Sequence, residues 1–238
     1  ASTAVYGCAR PFLYSRTTHE GKDRYVKLGA RYGYGQNGVA PRFAHPVTLS
    51  ETEWAGILDE VYVKPRKSFL STGSERAGPS LAFNENDRRY LARYLAEAFL
   101  KARPDELVVF YLSQPREPGV TEIASGGLFV EGRQIHLVIA NYRQPVSMSF
   151  IEQRIWNDPL RPVGDTLYDI IPQSYQTLRT GRLWDLTQSL FGQVSELIID
   201  HRASLAFPHE TSVTSGPVRL ESRTDHEEGT KLEDQLRT

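Results

Sequence analysis

Gly33, Gly35 and Gly38 form a G-x-G-x-x-G run after a predicted strand. A phosphate cradle of this type needs a helix to open directly behind the glycines, so that its free N–H groups meet the phosphate. Val39-Ala40-Pro41-Arg42 follows instead, and no helix signal occurs before Ser50, so the run is expected to be a surface loop. The six histidines are His19, His45, His136, His201, His209 and His226, and no two stand at metal-ligand spacing on one element. His136 falls in a predicted hairpin strand, on the face opposite Ile135, Leu137 and Ile139, and is expected to be a sheet-face residue rather than a ligand. His201 suits the exposed carbonyls at a helix end. No G-x-S-x-G elbow occurs, and Ser71, Ser74 and Ser125 are loop or turn serines with no marked base nearby. Asp165 and Asp169 make a carboxylate pair only if the fold converges them. Lys64, Arg66 and Lys67, with Arg76 beyond, form a basic loop that could meet anionic groups beside Tyr25, Tyr32, Tyr34 and Tyr62. A solvated loop is the preferred reading. The sequence thus assigns no catalytic residue, no cofactor-binding residue and no metal ligand.

The elements that must position these groups follow from periodicity. Tyr25 to Tyr34 alternates with period two and predicts a half-buried strand. Ser50-Glu-Thr-Glu53 is a capping box, and Trp54, Ile57, Leu58 and Val61 give one apolar stripe, predicting a helix over about 51–60. An extended piece follows through Tyr62-Val63-Lys64. Asn84 caps the strongest helix, with Asp87 in its first turn. Tyr90, Leu91, Tyr94, Leu95, Ala98 and Phe99 recur at three and four, and Pro104 ends the pattern. Leu107 to Leu112 is apolar on both faces and reads as an interior strand. Strands over 121–130 and 134–142 are joined by Glu131-Gly132-Arg133, where Gly132 can supply the positive φ of a hairpin. Residues 146–157 favour an extended form, because Val146, Met148 and Phe150 alternate with serines. Leu167 to Ile171 predicts a short strand. Leu183, Leu186, Leu190, Val194 and Leu197/Ile198 predict an amphipathic helix over 183–200. This order specifies α+β architecture: a largely antiparallel sheet with two to three amphipathic helices packed on one face.

With 238 residues, a net charge of -1 and 39% hydrophobic residues, the chain fits one globular domain with a real core. One cysteine excludes an intrachain disulfide framework. The longest clean apolar run is far short of the roughly 20 residues of a membrane span. The near-neutral charge argues against nucleic acid as a partner. Residues 208–238 hold seven acids against four bases and few apolar residues. Such a composition cannot offset its ordering entropy, so 207–238 is expected to be a disordered acidic tail behind a single domain over 9–206.

Val5, Gly7 and Cys8 resemble the end of a bacterial lipoprotein signal peptide, with Tyr6 departing from the pattern. Residues 1–8 are accordingly set apart from the fold. The resemblance implies that the Cys8 thiol carries a thioether-linked diacylglycerol, whose chains bury in a bilayer at about 0.8 kcal/mol per CH₂. Together with His45-Pro-Val-Thr-Leu-Ser50, the helix from Phe83 to Pro104 running into Asp105-Glu-Leu-Val-Val-Phe110, Gly126-Gly-Leu-Phe-Val130 and Leu137-Val-Ile-Ala-Asn141, the chain resembles uncharacterised exported lipoproteins of Gram-negative bacteria. That resemblance spans about residues 45–142 and implies a cell-envelope location with no cofactor and no catalytic motif. Ala9 after the cysteine implies the outer membrane, on its periplasmic face.

The leading expectation is therefore a non-catalytic, outer-membrane-anchored binding or assembly component, held to the membrane by its lipid and meeting an envelope protein partner. The alternative is a soluble, hydrolase-like enzyme whose site converges only in three dimensions, in a pocket with perturbed titratable groups. A third is a cytosolic scaffold whose N-terminus only looks like a lipobox.

Overall fold

The computed structural model describes residues 12–31, 42–66, 78–164, 168–180 and 195–206, all within the compact unit Ala1–Pro208. Cys8, the Gly33–Gly38 run, Ser71, Ser74, Asp165, residues 183–194 and the acidic tail lie outside the described residues.

Strands β1 (Phe12–Glu20) and β2 (Arg24–Arg31) form a hairpin whose turn is closed by Gly21 N–H donating to the Arg24 carbonyl at 2.8 Å. The predicted alternation of β2 sends Val26 and Leu28 to one sheet face and Tyr25 to the other. Helix α1 (Glu51–Asp59) starts where its capping box places it: Ser50 accepts from the Glu53 N–H, and the Glu53 carboxylate accepts from the Ser50 N–H at 2.7 Å. Strands β3 (Tyr62–Pro65) and β4 (Ser80–Leu81) follow. Helix α2 (Glu85–Lys101) is capped by Asn84, which accepts from the Asp87 N–H at 2.8 Å. Its 3.6-period stripe, Leu91, Leu95 and Phe99, is fully buried, each side chain contributing about 1.5–3 kcal/mol of burial. Trp54 of α1 stacks on Phe99, with centroids 4.8 Å apart.

Strands β5 (Leu107–Glu117), β6 (Val120–Glu131) and β7 (Gln134–Val146) form the centre of the molecule. The β6–β7 turn holds Gly132 at φ 60°, as the hairpin required. Helix α3 (Ser149–Asn157), strands β8 (Tyr168–Ile171), β9 (Gln176–Thr180) and β10 (Ser195–Asp200), and helix α4 (His201–Ala206) complete the chain. A seven-stranded sheet runs β1-β2-β5-β6-β7-β10-β9, and a three-stranded sheet runs β4-β3-β8. Every described ladder is antiparallel. The fold is broadly α+β and mostly sheet.

Three differences from the sequence expectation matter. Residues 195–200 are a strand, not the end of a helix: β10 pairs with β7 and β9 and buries Leu197 and Ile199. Residues 149–157 are a helix, whose buried anchor is Ile155, while Met148 and Phe150 are exposed. The helices also divide between the two sheet faces. The α1 and α2 side chains, with Leu205 of α4, pack against Val26, Leu28, Val108 and Phe110. Ile155 and Trp156 of α3 pack against Tyr25, Val109 and Tyr111 on the opposite face.

Candidate functional site: a polar cleft at the head of α2

On the α2-facing side of β5, the alternating row Val108, Phe110, Leu112 continues to Gln114. On β6 the corresponding row Leu128, Gly126, Ala124 continues to Glu122. Gln114 and Glu122 are direct cross-strand partners. The core face of the sheet therefore turns polar where α2 begins. A cleft of about 340 Å³ opens there, at the small end of the range of ligand pockets. Asp87 and Arg88 enter from α2, Ser80 and Leu81 from β4, and Tyr142 and Arg143 from β7.

Two irregularities in β7 bring the last pair in. Ser125 faces Asn141 while Gly126 faces Ile139, so Ala140 is an extra residue. Ile123 faces Gln144, so Tyr142 and Arg143 together oppose Ala124. Bulges of this kind re-aim side chains and concentrate near functional sites. Tyr142 is swung onto the α2-facing core, although Val138 and Val146, of the same parity, pack on the other face. Arg143 sits at φ 47°, in the left-handed region that costs a non-glycine residue about 1 kcal/mol or more.

Arg143 Nε donates to Glu122 Oε1 at 2.7 Å, and Gln114 Nε2 donates to the same oxygen at 3.0 Å. Glu122 Oε2 faces Arg116 at 3.9 Å. Glu122 is only 6% exposed, whereas the Arg143 side chain is 60% exposed. The carboxylate beside it holds Arg143 still more firmly protonated. On the α2 side, Asn84 Nδ2 donates to Asp87 Oδ2 at 2.6 Å. Burial pushes the Asp87 carboxyl above the usual carboxylate range. Arg24 and Asn84 oppose the shift, and the charges of Asp23 and Glu122 add to it. Arg88 is held by Asp59 and by the Phe83 carbonyl.

The residues singled out from sequence lie elsewhere. His136 is on the sheet face opposite Ile135, Leu137 and Ile139, as expected, but it is completely buried. Its Nδ1 bonds Glu196 Oε1 of β10, Phe129 stacks on the ring at 4.4 Å, and Arg179 lies 3.6 Å from Glu196 Oε2. That group ties β7 to β10 on the face away from the cleft. Ser125 is buried, donating to the Pro159 carbonyl at 2.7 Å and accepting from Asn141 Nδ2 at 2.8 Å. Asp169 forms an exposed ion pair with Arg66 at 2.6 Å. Tyr25 packs with α3, whereas Tyr62 and Lys64 are on β3 and Arg66 follows it, and Tyr32, Tyr34, Lys67 and Arg76 lie outside the described residues. His201 starts α4 rather than ending a helix and bonds the Arg133 carbonyl through Nδ1 at 2.6 Å. Among the described residues no group of three or more His, Cys, Asp or Glu could hold a metal. No helix among them is long and apolar enough to cross a membrane.

Glu122 and Arg143 carried no sequence signal of their own. Asp87 was visible only as a first-turn acid. Comparison of the chain with family models, with curated proteins and with solved structures returns no match.

Proposed function

We propose that the protein is a non-catalytic binding component of a bacterial cell envelope. In this reading acyl chains on Cys8 hold it at the periplasmic face of the outer membrane, and its ligand occupies the cleft at the head of α2. The observation that carries the binding role is the Arg143–Glu122 pair. A strained backbone and two bulges set a charged pair where the core row of the sheet would otherwise continue, and such strain concentrates at binding sites. Glu122 accepts from Gln114 and Arg143, and Asp87 from Asn84, so both carboxylates are fixed in position on the cleft lining. The envelope location rests on the Val5, Gly7 and Cys8 pattern with Ala9 behind it and on the resemblance over residues 45–142.

Two experiments test the two halves. Intact mass of the protein from membrane and soluble fractions, beside Cys8→Ala, should show a lipid-sized increment that the variant loses; an unmodified soluble chain ends the lipoprotein reading. Side-chain NMR of Asp87, Glu122 and Arg143 during a small-molecule screen should show perturbations concentrated in the cleft. A screen in which those resonances never move ends the cleft reading.

A hydrolytic reading has one observation in its favour. Two carboxylates line the cleft in different settings, Asp87 pushed up by burial and Glu122 held by Arg143. It requires Asp87→Asn and Glu122→Gln each to abolish turnover of a bound ligand while leaving binding measurable.

A further inference from the structure

We infer that the cleft takes a small zwitterion, a molecule carrying both an ammonium and a carboxylate group, such as a free amino acid or a short peptide. This rests on the cleft being the ligand site.

The charges around it are divided by element. From α2 comes Asp87, a desolvated carboxylate with one oxygen bonded to the Asn84 amide. Of the basic groups on that side, Arg88 is committed, and Arg24 is shared between Asp23 and the Asp87 carboxylate that its charge steadies. Arg88 is paired to Asp59, and Arg24 lies 3.6 Å from Asp23 and 4.8 Å over the Tyr90 ring. An added ammonium there relieves an acid that burial has made costly to ionise. From the sheet come Arg143 and Glu122, whose charges balance, and Arg116 beside them stands between Glu122 and Glu117, 3.9 Å from each. Arg143, which lines the cleft, has Nε fixed on Glu122, a further hydrogen bond with Tyr142 and most of its side chain exposed. A guanidinium fixed in this way is suited to a carboxylate, which it can grip with two parallel bonds. Ala82, Leu112 and Ala124 also line the cleft and give apolar surface for a side chain. A neutral polyol would use the same polar atoms, but it gains nothing from separating the charges.

The test uses the full chain, with free amino acids and dipeptides as probes, beside their N-acetyl and methyl-ester forms and a panel of monosaccharides. Expected is saturable movement of the Asp87 and Arg143 side-chain resonances by at least one zwitterion. Capping either end of that ligand should weaken it tenfold or more, a comparison made on the unaltered protein. Asp87→Asn and Arg143→Gln should each weaken it at least tenfold, and Lys64→Gln should not. Cleft resonances that move with monosaccharides and not with zwitterions overturn this inference and leave the cleft reading standing. Capped ligands that bind as well as free ones also overturn it. Cleft resonances that move with no probe overturn both.

Discussion

Arg143 Nε donates to Glu122 Oε1 at 2.7 Å across a strand pair whose register slips between Ile123 and Ser125, and Arg143 reaches that oxygen from a left-handed backbone. The bond and the strain are therefore separable. Arg143→Ala and Arg143→Gly both delete the guanidinium, but only glycine adopts φ 47° at no steric cost. The expected outcome is that Arg143→Gly unfolds at higher urea than Arg143→Ala, by about 1 kcal/mol. Equal midpoints would show that the backbone there holds no strain.

Gly126 has no room for a methyl group. A Cβ there would lie 2.0 Å from the Val138 carbonyl oxygen and 2.9 Å from Phe110 Cζ, both in the packed centre of the sheet. At Gly127 the closest atoms are the far end of Leu160, at 2.9 Å, which can shift, and the Val108 carbonyl oxygen, at 3.2 Å, which need give by only a few tenths of an ångström. Gly126→Ala is expected to cost about 3 kcal/mol or to prevent folding, and Gly127→Ala to cost less. Chemical denaturation of the two variants side by side decides it.

His45 is a structural acceptor. Its Nε2 receives the Val130 N–H at 3.1 Å, while the Ala44 N–H donates to the Val130 carbonyl at 2.7 Å. The loop thus completes the β6 edge where β5 has ended. Burial pushes the imidazole down to about 4, against weaker opposing contributions from the backbone at Arg103 and Glu106 and from the Glu106 charge. The group stays neutral when folded while the unfolded chain takes up a proton. Stability should therefore be complete above pH 6.5 and fall as pH drops toward 4, by on the order of 3 kcal/mol from this residue. His45→Gln keeps an acceptor and removes the titration. Its urea midpoint should change less between pH 7 and pH 4 than that of the unaltered protein.

Asn141 holds the segment after α3 to the sheet. Its Nδ2 donates to the Ser125 hydroxyl and to the Arg161 carbonyl, and its Oδ1 accepts from the Val163 N–H at 2.9 Å. Asn141→Ala strands these groups beneath the chain, at about 2 kcal/mol or more. Amide exchange should rise first at Val163. Unchanged protection there would refute the pinning role.

Much of the fold was legible because local chemistry and burial agreed. The Ser50–Glu53 box and the Asn84 cap fixed where α1 and α2 begin, and Gly132 marked the hairpin. The errors came where an apolar run satisfies two periods. Leu197-Ile198-Ile199 extends a helical stripe from Leu190 and Val194, yet its β-branched pair suits a buried strand, and pairing on both sides decided the matter. Met148 and Phe150 alternate like a strand, but both are exposed, and Ile151 and Ile155 carry the helical face. The cleft was not legible. Glu122 and Arg143 meet because two residues are added to β7, and a bulge leaves no dependable mark in a single sequence.

Those two added residues cancel. Ile135, Leu137 and Ile139 face α2, the strand inverts between its irregularities, and Val146 returns to the same side as Val138. β7 behaves like a reading frame interrupted by two compensating insertions. Losing one residue between Ala140 and Arg143 should turn the distal strand inside out, carrying Val146 away from the α3 side. Losing two should restore its phase and remove the irregularities that bring Tyr142 and Arg143 to the cleft, leaving Glu122 and Gln114 on their own strands. Phase in this stretch is thus kept by a change of two residues and lost by a change of one.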